Sequence, residues 1–355
     1  MTRKHQSFTG AIALTLLILH QAPLCLAKAP YHFLKEIALR GAESGDSLTV
    51  DESARRLYVT SESNVMVLDL DKEQVLGEIK NTPGVHCFVV CPRFGRGFSS
   101  NSREDRASVI NLKTFKLIAK LKTGKNPGAI LVEPSRQELW VFNAGDNSAS
   151  VFEADDGDFL TTIQLPGKPK SGVADPKAGR VYCSIEDKNE VAAVDTKAHR
   201  IVEHWPLSPG ESASGMAVDL EHHRLFLGCR NKLMVMMDSV SGKVMASVPI
   251  GEGVEACAFD PGTRLAFASC GDGSVTIAHE DTPEKLTVVQ TLKTELGART
   301  MALDPKTHTI YVATANSEPS RELPTAAPER GTTVVPGTFK LLVYGLESVP
   351  PAANR

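Results

Sequence analysis

Six polar residues far apart in the chain, Asp46, His86, Lys170, Ser214, Glu255 and Arg299, are of the types that together could do chemistry. A histidine beside a carboxylate can accept a proton as a general base, and an arginine or lysine can hold an anion or steady developing negative charge. The steps between them are 40, 84, 44, 41 and 44 residues, close to one or two turns of a single spacing. No local motif could gather them. Only a fold that returns the chain to one place at a fixed interval would do so.

Motifs that carry chemistry on their own are missing: there is no C-x-x-C-H, H-E-x-x-H, G-x-S-x-G or glycine-rich phosphate loop. We therefore expect no cofactor and no metal. The pair His222-His223 reads as a solvated turn. The run Asp155-Asp156-Gly157-Asp158 lacks the later ligands of a calcium loop and reads as a turn between strands. Two tryptophans, Trp140 and Trp205, read as packing residues, too few to suggest a tryptophan-derived quinone.

The interval itself is visible along the whole chain. An apolar stretch ending in an acidic residue or a proline corner recurs at Asp51, Cys91-Pro92, Glu133-Pro134, Asp175-Pro176, Asp219, Asp260-Pro261 and Asp304-Pro305, with spacings of 40, 42, 42, 44, 41 and 44. Self-similarity with such a period marks a repeat architecture. Within the first unit, residues 47–50, LYVTS from Leu57, NVMVLDL from Asn64 and QVLGEI from Gln74 are separated by polar turns and read as four short strands. A four-stranded sheet with apolar residues on both faces must stack on neighbours, and seven arranged radially close a ring. The expected fold is all-β, a seven-bladed β-propeller of four-stranded antiparallel blades. The last unit offers a third strand at 339–344, and 31–39 resembles a fourth strand with no unit before it, so the N-terminal strand should complete blade seven.

The segments LYVTSESNVMVLDLDKEQVLGEI from Leu57, IYVATAN from Ile310 and GKNPGAILVEP from Gly124 resemble the YVTN repeat of YncE-like seven-bladed propellers. That resemblance implies an exported repeat protein and says little about chemistry. Blade two departs from it, with Gly95-Arg96-Gly97-Phe98 in place of the usual aromatic strand start, and blade seven carries an insertion.

The six polar residues now acquire a place. Together with Gly128 they stand five residues before the seven anchors, near the start of each innermost strand, at the predicted channel mouth. In ring order Glu255, Arg299, Asp46 and His86 fall on consecutive blades, so Arg299 should be flanked by two carboxylates. The charges balance in sign, which suggests a small, polar, neutral-to-anionic ligand. The expected role is a non-catalytic binding or interaction scaffold for a protein, peptide or envelope component. The alternative is a lactone hydrolase or lyase with His86 as base and Arg299 or Lys170 stabilising charge. The proline-rich insertion at 316–337 reads as a loop without strands on the same face, either filler or a lid.

Composition sets the remaining bounds. The chain has 355 residues, 42% hydrophobic and 23% charged, with net charge −3, enough to build a large core and without the basic excess that would attract nucleic acid. Arg3 and Lys4 precede an apolar run over 11–19 and a small-residue end at Ala27, so residues 1–27 read as a signal peptide, leaving one domain over 28–355 with no transmembrane anchor. The expected location is periplasmic or secreted. That compartment permits disulfides among Cys87, Cys91, Cys183, Cys229, Cys257 and Cys270, although Cys87 and Cys91 are too far apart on one extended strand to bridge. Free, buried thiols are the expected state.

Overall fold

The structure is a computed structural model that describes residues 31–39, 45–319 and 332–346. Seven four-stranded antiparallel sheets follow one another in chain order, the first formed by Leu48–Asp51, Arg56–Ser61, Asn64–Asp69 and Gln74–Ile79. The seventh is composite. Thr300–Asp304, Thr309–Thr314 and Lys340–Leu346 are joined at the outer edge by Tyr31–Ala38, which pairs antiparallel with Lys340–Leu346. The ring is thus closed by the N-terminal strand, as the sequence predicts. Among the described residues no helix is long and apolar enough to cross a membrane.

The core is divided among the blade interfaces. Seven clusters of buried apolar residues each combine side chains from two neighbouring blades, so every seam has its own hydrophobic layer. One aromatic on the second strand of each blade, Tyr58, Phe98, Trp140, Tyr182, Phe226, Phe267 and Tyr311, is buried in these layers. Trp205 packs in the seam of blades four and five, so both tryptophans are packing residues. Blade two keeps its aromatic: Phe98 is in register with Tyr58, and the real change is Gly97. A Cβ there would lie 2.3 Å from the Phe88 ring, which instead stacks on Tyr58 at 4.7 Å between ring centres. All six cysteines of this region are unpaired, four of them buried.

The recurring acidic anchors tie the blades together. Each blade places a residue with positive φ just before its second strand, namely Arg55, Gly95, Gln137, Gly179, His223, Arg264 and His308. Three of the four basic ones, Arg55, His223 and His308, reach back to the anchor of the preceding blade. Arg55 meets Asp304 at 2.7 Å, His308 meets Asp260 at 2.6 Å, and His223 lies 3.9 Å from Asp175. His222 contacts Asp219 of its own turn at 2.6 Å. The His222-His223 turn is therefore where the sequence places it, but both rings rest on buried carboxylates. The run 155–158 is a turn leading into the outer strand Phe159–Gln164.

A second set of acids caps the outer turns. Asp195 accepts the N–H groups of Lys197 and Ala198, and Asp238 those of Val240 and Ser241. The Ala198 N–H holds the Asp195 carboxyl below its ordinary value near 3.8 against the opposing effect of burial, with help from Arg180. At Asp238 burial acts upward, but Ser241 and Arg224 outweigh it and the net shift is again down. A carboxyl with a folded value below its unfolded one stabilises the fold above the unfolded value, and that contribution is lost as pH falls through the folded one. The melting temperature should therefore fall between about pH 4 and pH 2. That fall should be smaller in the Asp195→Asn/Asp238→Asn variant, and an equal fall in both proteins would remove this origin.

One expectation about the insertion is corrected. Its ends are not strand-free, because Ser317–Pro319 pairs antiparallel with Thr332–Val334, carried on the N–H of Val335 bonded to the carbonyl of Asn316. The β-branched run from Thr332 to Val334 favours extended backbone, which composition dominated by prolines concealed. The insertion lies between the second and third strands of blade seven, and residues 320–331 are outside the described residues, as are 1–30.

Candidate functional site

A cavity of about 600 Å³ opens at one end of the central channel, and all seven residues at the position five before each anchor line it. The backbone explains why these side chains, and not their neighbours, face inward. In blades two to six the register of the inner strand slips at His86, Gly128, Lys170, Ser214 and Glu255, leaving each of them without a ladder partner. A bulge turns a side chain out of the alternation of the strand. In blades one and seven the inner strand is shorter, so Asp46 and Arg299 precede it altogether.

In blades two and four a hydroxyl on the second strand holds the bulge. The Cys87 N–H donates to Ser100 Oγ at 3.1 Å, and the Ser171 N–H to Ser184 Oγ at 3.1 Å. Second-strand hydroxyls also cross the seam to the next ring residue: Ser100 donates to the carbonyl of Gly128 and Ser269 to that of Arg299. The polar mouth is thus carried on a rigid layer, one step above the hydrophobic seams.

The charges pair in a pattern that ring order alone does not give. Arg299 is not flanked by carboxylates in contact with it. Glu255 instead crosses the channel to Lys170, Oε1 to Nζ 2.7 Å, and Ser214 Oγ lies 3.4 Å from its other oxygen. Asp46 turns to His86, Oδ2 to Nδ1 3.0 Å. The hydrogen bond from His86 is the main reason the Asp46 carboxyl lies below its ordinary value; burial opposes, and the charges of His86, Arg299 and Lys170 add to the lowering. Among the described residues the Arg299 guanidinium has no hydrogen bond and no ion pair within 4.0 Å, and it is exposed to the cavity. The lysine reaches across two blades to Glu255 and the arginine is left without an ion pair among the described residues.

The expected balance of sign is also corrected. Lys168 and Arg230 join the lining, giving four cations with Lys170 and Arg299 against the two carboxylates Asp46 and Glu255. Glu186 answers both additions, at 2.9 Å from Lys168 and 3.4 Å from Arg230. The mouth therefore leans positive, and Arg299 is its one cation without an ion pair within 4.0 Å among the described residues. Arg230 could have been found from the sequence by scanning the loops between second and third strands, which share this face. Lys168 stands two residues before Lys170, outside the repeat position that the other lining residues share.

No protein-family profile matches the chain, and no curated protein matches it either. Among solved structures, a chain of Kuenenia stuttgartiensis hydrazine synthase is similar with a TM-score of 0.69 and 17% identity, over 77% of this chain and 93% of that one. A likeness at that identity speaks for the fold and for nothing chemical.

Proposed function

We propose that the protein is an exported binding scaffold whose channel mouth takes a small polar ligand, or the end of a peptide or envelope component, through an anionic group held by Arg299. One observation carries this reading: in a cavity of about 600 Å³, Arg299 is the charged group whose side chain has no hydrogen bond or ion pair among the described residues. That volume lies within the range of small-molecule sites, and a guanidinium is suited to bidentate capture of a carboxylate or phosphate. The rigid bulged layer favours binding without reorganisation. Export rests on the signal-like residues 1–27, and the described ends of the blade-seven insertion leave the second and third strands at the same end as the mouth.

A second reading, a hydrolase or lyase, is favoured by the Asp46–His86 contact, which leaves Nε2 of the ring to act as base. One experiment separates the two. In a thermal-shift panel of succinate, citrate, inorganic phosphate, a dipeptide and a simple lactone, binding should raise the melting temperature by about 5 °C near 100-fold excess over Kd. The shift should vanish in Arg299→Ala and persist in Lys122→Ala, a change on an outer strand. A shift that survives Arg299→Ala would overturn the proposal, and conversion of the lactone that disappears in His86→Ala would replace it with the second reading.

A further inference from the structure

Blade six departs from the other blades that carry a basic residue before the second strand, where Arg55, His223 and His308 clasp the preceding anchor. Arg264 occupies the clasp position of blade six, yet it does not reach the anchor Asp219; its guanidinium lies 3.5 Å from Glu280 instead. Asp219, 2% exposed, is met by His222 of its own turn. Glu280 is itself out of place. Its N–H bonds to the carbonyl of Arg264, and the same bond in the other blades is made by Leu70, Leu112, Ala154, Thr196 and Ser239, all buried and none charged. The Glu280 side chain is 0% exposed, and neither of its carboxylate oxygens has a hydrogen-bond partner.

A buried carboxylate without hydrogen bonds is costly, and the neighbouring buried acid Asp219, although it accepts from the Glu221 and His222 N–H groups, adds like-charge repulsion. Arg264 answers one negative charge and leaves the other. The donor atoms of Asp219, His222 and Glu280 all lie within 4.8 Å of one another, and His222 is 36% exposed, so solvent reaches the group from the face opposite the channel mouth. One imidazole nitrogen with two carboxylate oxygens suits zinc or manganese; calcium and magnesium sites are built from oxygen.

We propose that Asp219, His222 and Glu280 form a divalent-cation site for a zinc- or manganese-type ion, stapling blade five to blade six where Arg264 does not clasp Asp219. On binding, Nδ1 of His222 gives up its contact with Asp219 and offers its lone pair, the ring proton residing on Nε2. The purified chain, without an added histidine tag and stripped with chelator, is titrated with ZnCl₂, MnCl₂ and CaCl₂ by calorimetry, with the melting temperature as a second readout. Saturable binding of one equivalent of zinc or manganese is expected, with a rise in melting temperature and no response to calcium. Because losing even an outer partner of a metal ligand weakens binding roughly 10- to 100-fold, His222→Ala and Glu280→Leu should each lose at least that much. Glu280→Leu installs the residue that blades one and two carry there, so it should fold even if His222→Ala does not. Absence of saturable binding, or binding of equal strength in Glu280→Leu, would overturn the site.

Discussion

A chain lacking residues 31–39 should lose its monodispersity and melt roughly 10 °C or more below the intact protein. The strand Tyr31–Ala38 is bonded along its length to Lys340–Leu346, so its removal bares a seven-residue edge of N–H and C=O groups that can recruit the same edge of another molecule. The loss reaches beyond the edge. Tyr31 packs edge-on against Phe267 of blade six with ring centres 5.2 Å apart, its N–H and carbonyl are both bonded to the Gln290 amide, and Ile37 and Leu39 are buried in the seam with blade one. Burying three such side chains is worth about 5 kcal/mol or more. Light scattering after size exclusion reads the association, and calorimetry reads the melting. A truncated chain that stays monodisperse with an unchanged melting temperature would show that blade seven closes without its outer strand.

Replacing Arg55 by methionine should cost about 3 kcal/mol, a large effect for a side chain at the rim. Its guanidinium holds Asp304 at 2.7 Å across the seam between the last blade and the first, and the Asp304 carboxylate is 0% exposed. Removing the cation leaves that charge buried with only the Thr307 hydroxyl and the Lys306 N–H to answer it. The cost is therefore mainly the stranded acid. Asp304→Asn in the same chain should recover part of the loss, so urea unfolding of the four proteins of the double-mutant cycle should give a coupling well above the scatter of independent sites, about 0.5 kcal/mol. Additive losses would mean that the pair is a surface ion pair of little consequence.

Both effects concern ring closure, and closure is the part of the fold that was legible in the sequence. The seven anchors and the aromatic one strand later recur because every seam poses the same packing problem, so the period survives even where individual residues change. Blade two misleads when read as a motif, since the visible departure at Gly97 hides an intact Phe98. The site was legible in membership and not in pairing. Position five before each anchor gave the lining residues, but the bulges that aim them arise from hydroxyls such as Ser100 and Ser184, whose roles depend on contacts with another strand. Which charges neutralise one another depended on side-chain reach across the channel, so Arg299 was assigned the carboxylates that Lys170 and His86 hold. Glu280 belongs to no motif, and what sets it apart is its charge at a position where the other blades with the same backbone bond carry Leu, Ala, Thr or Ser.

A crystal structure of the protein soaked with the ligand that raises its melting temperature most is the measurement that bears most directly on the channel mouth. An anionic group of that ligand is expected within hydrogen-bond distance of the Arg299 guanidinium, with the Lys170–Glu255 and His86–Asp46 contacts preserved around it. Ligand bound away from the mouth, or seated there with Arg299 turned aside, would contradict it.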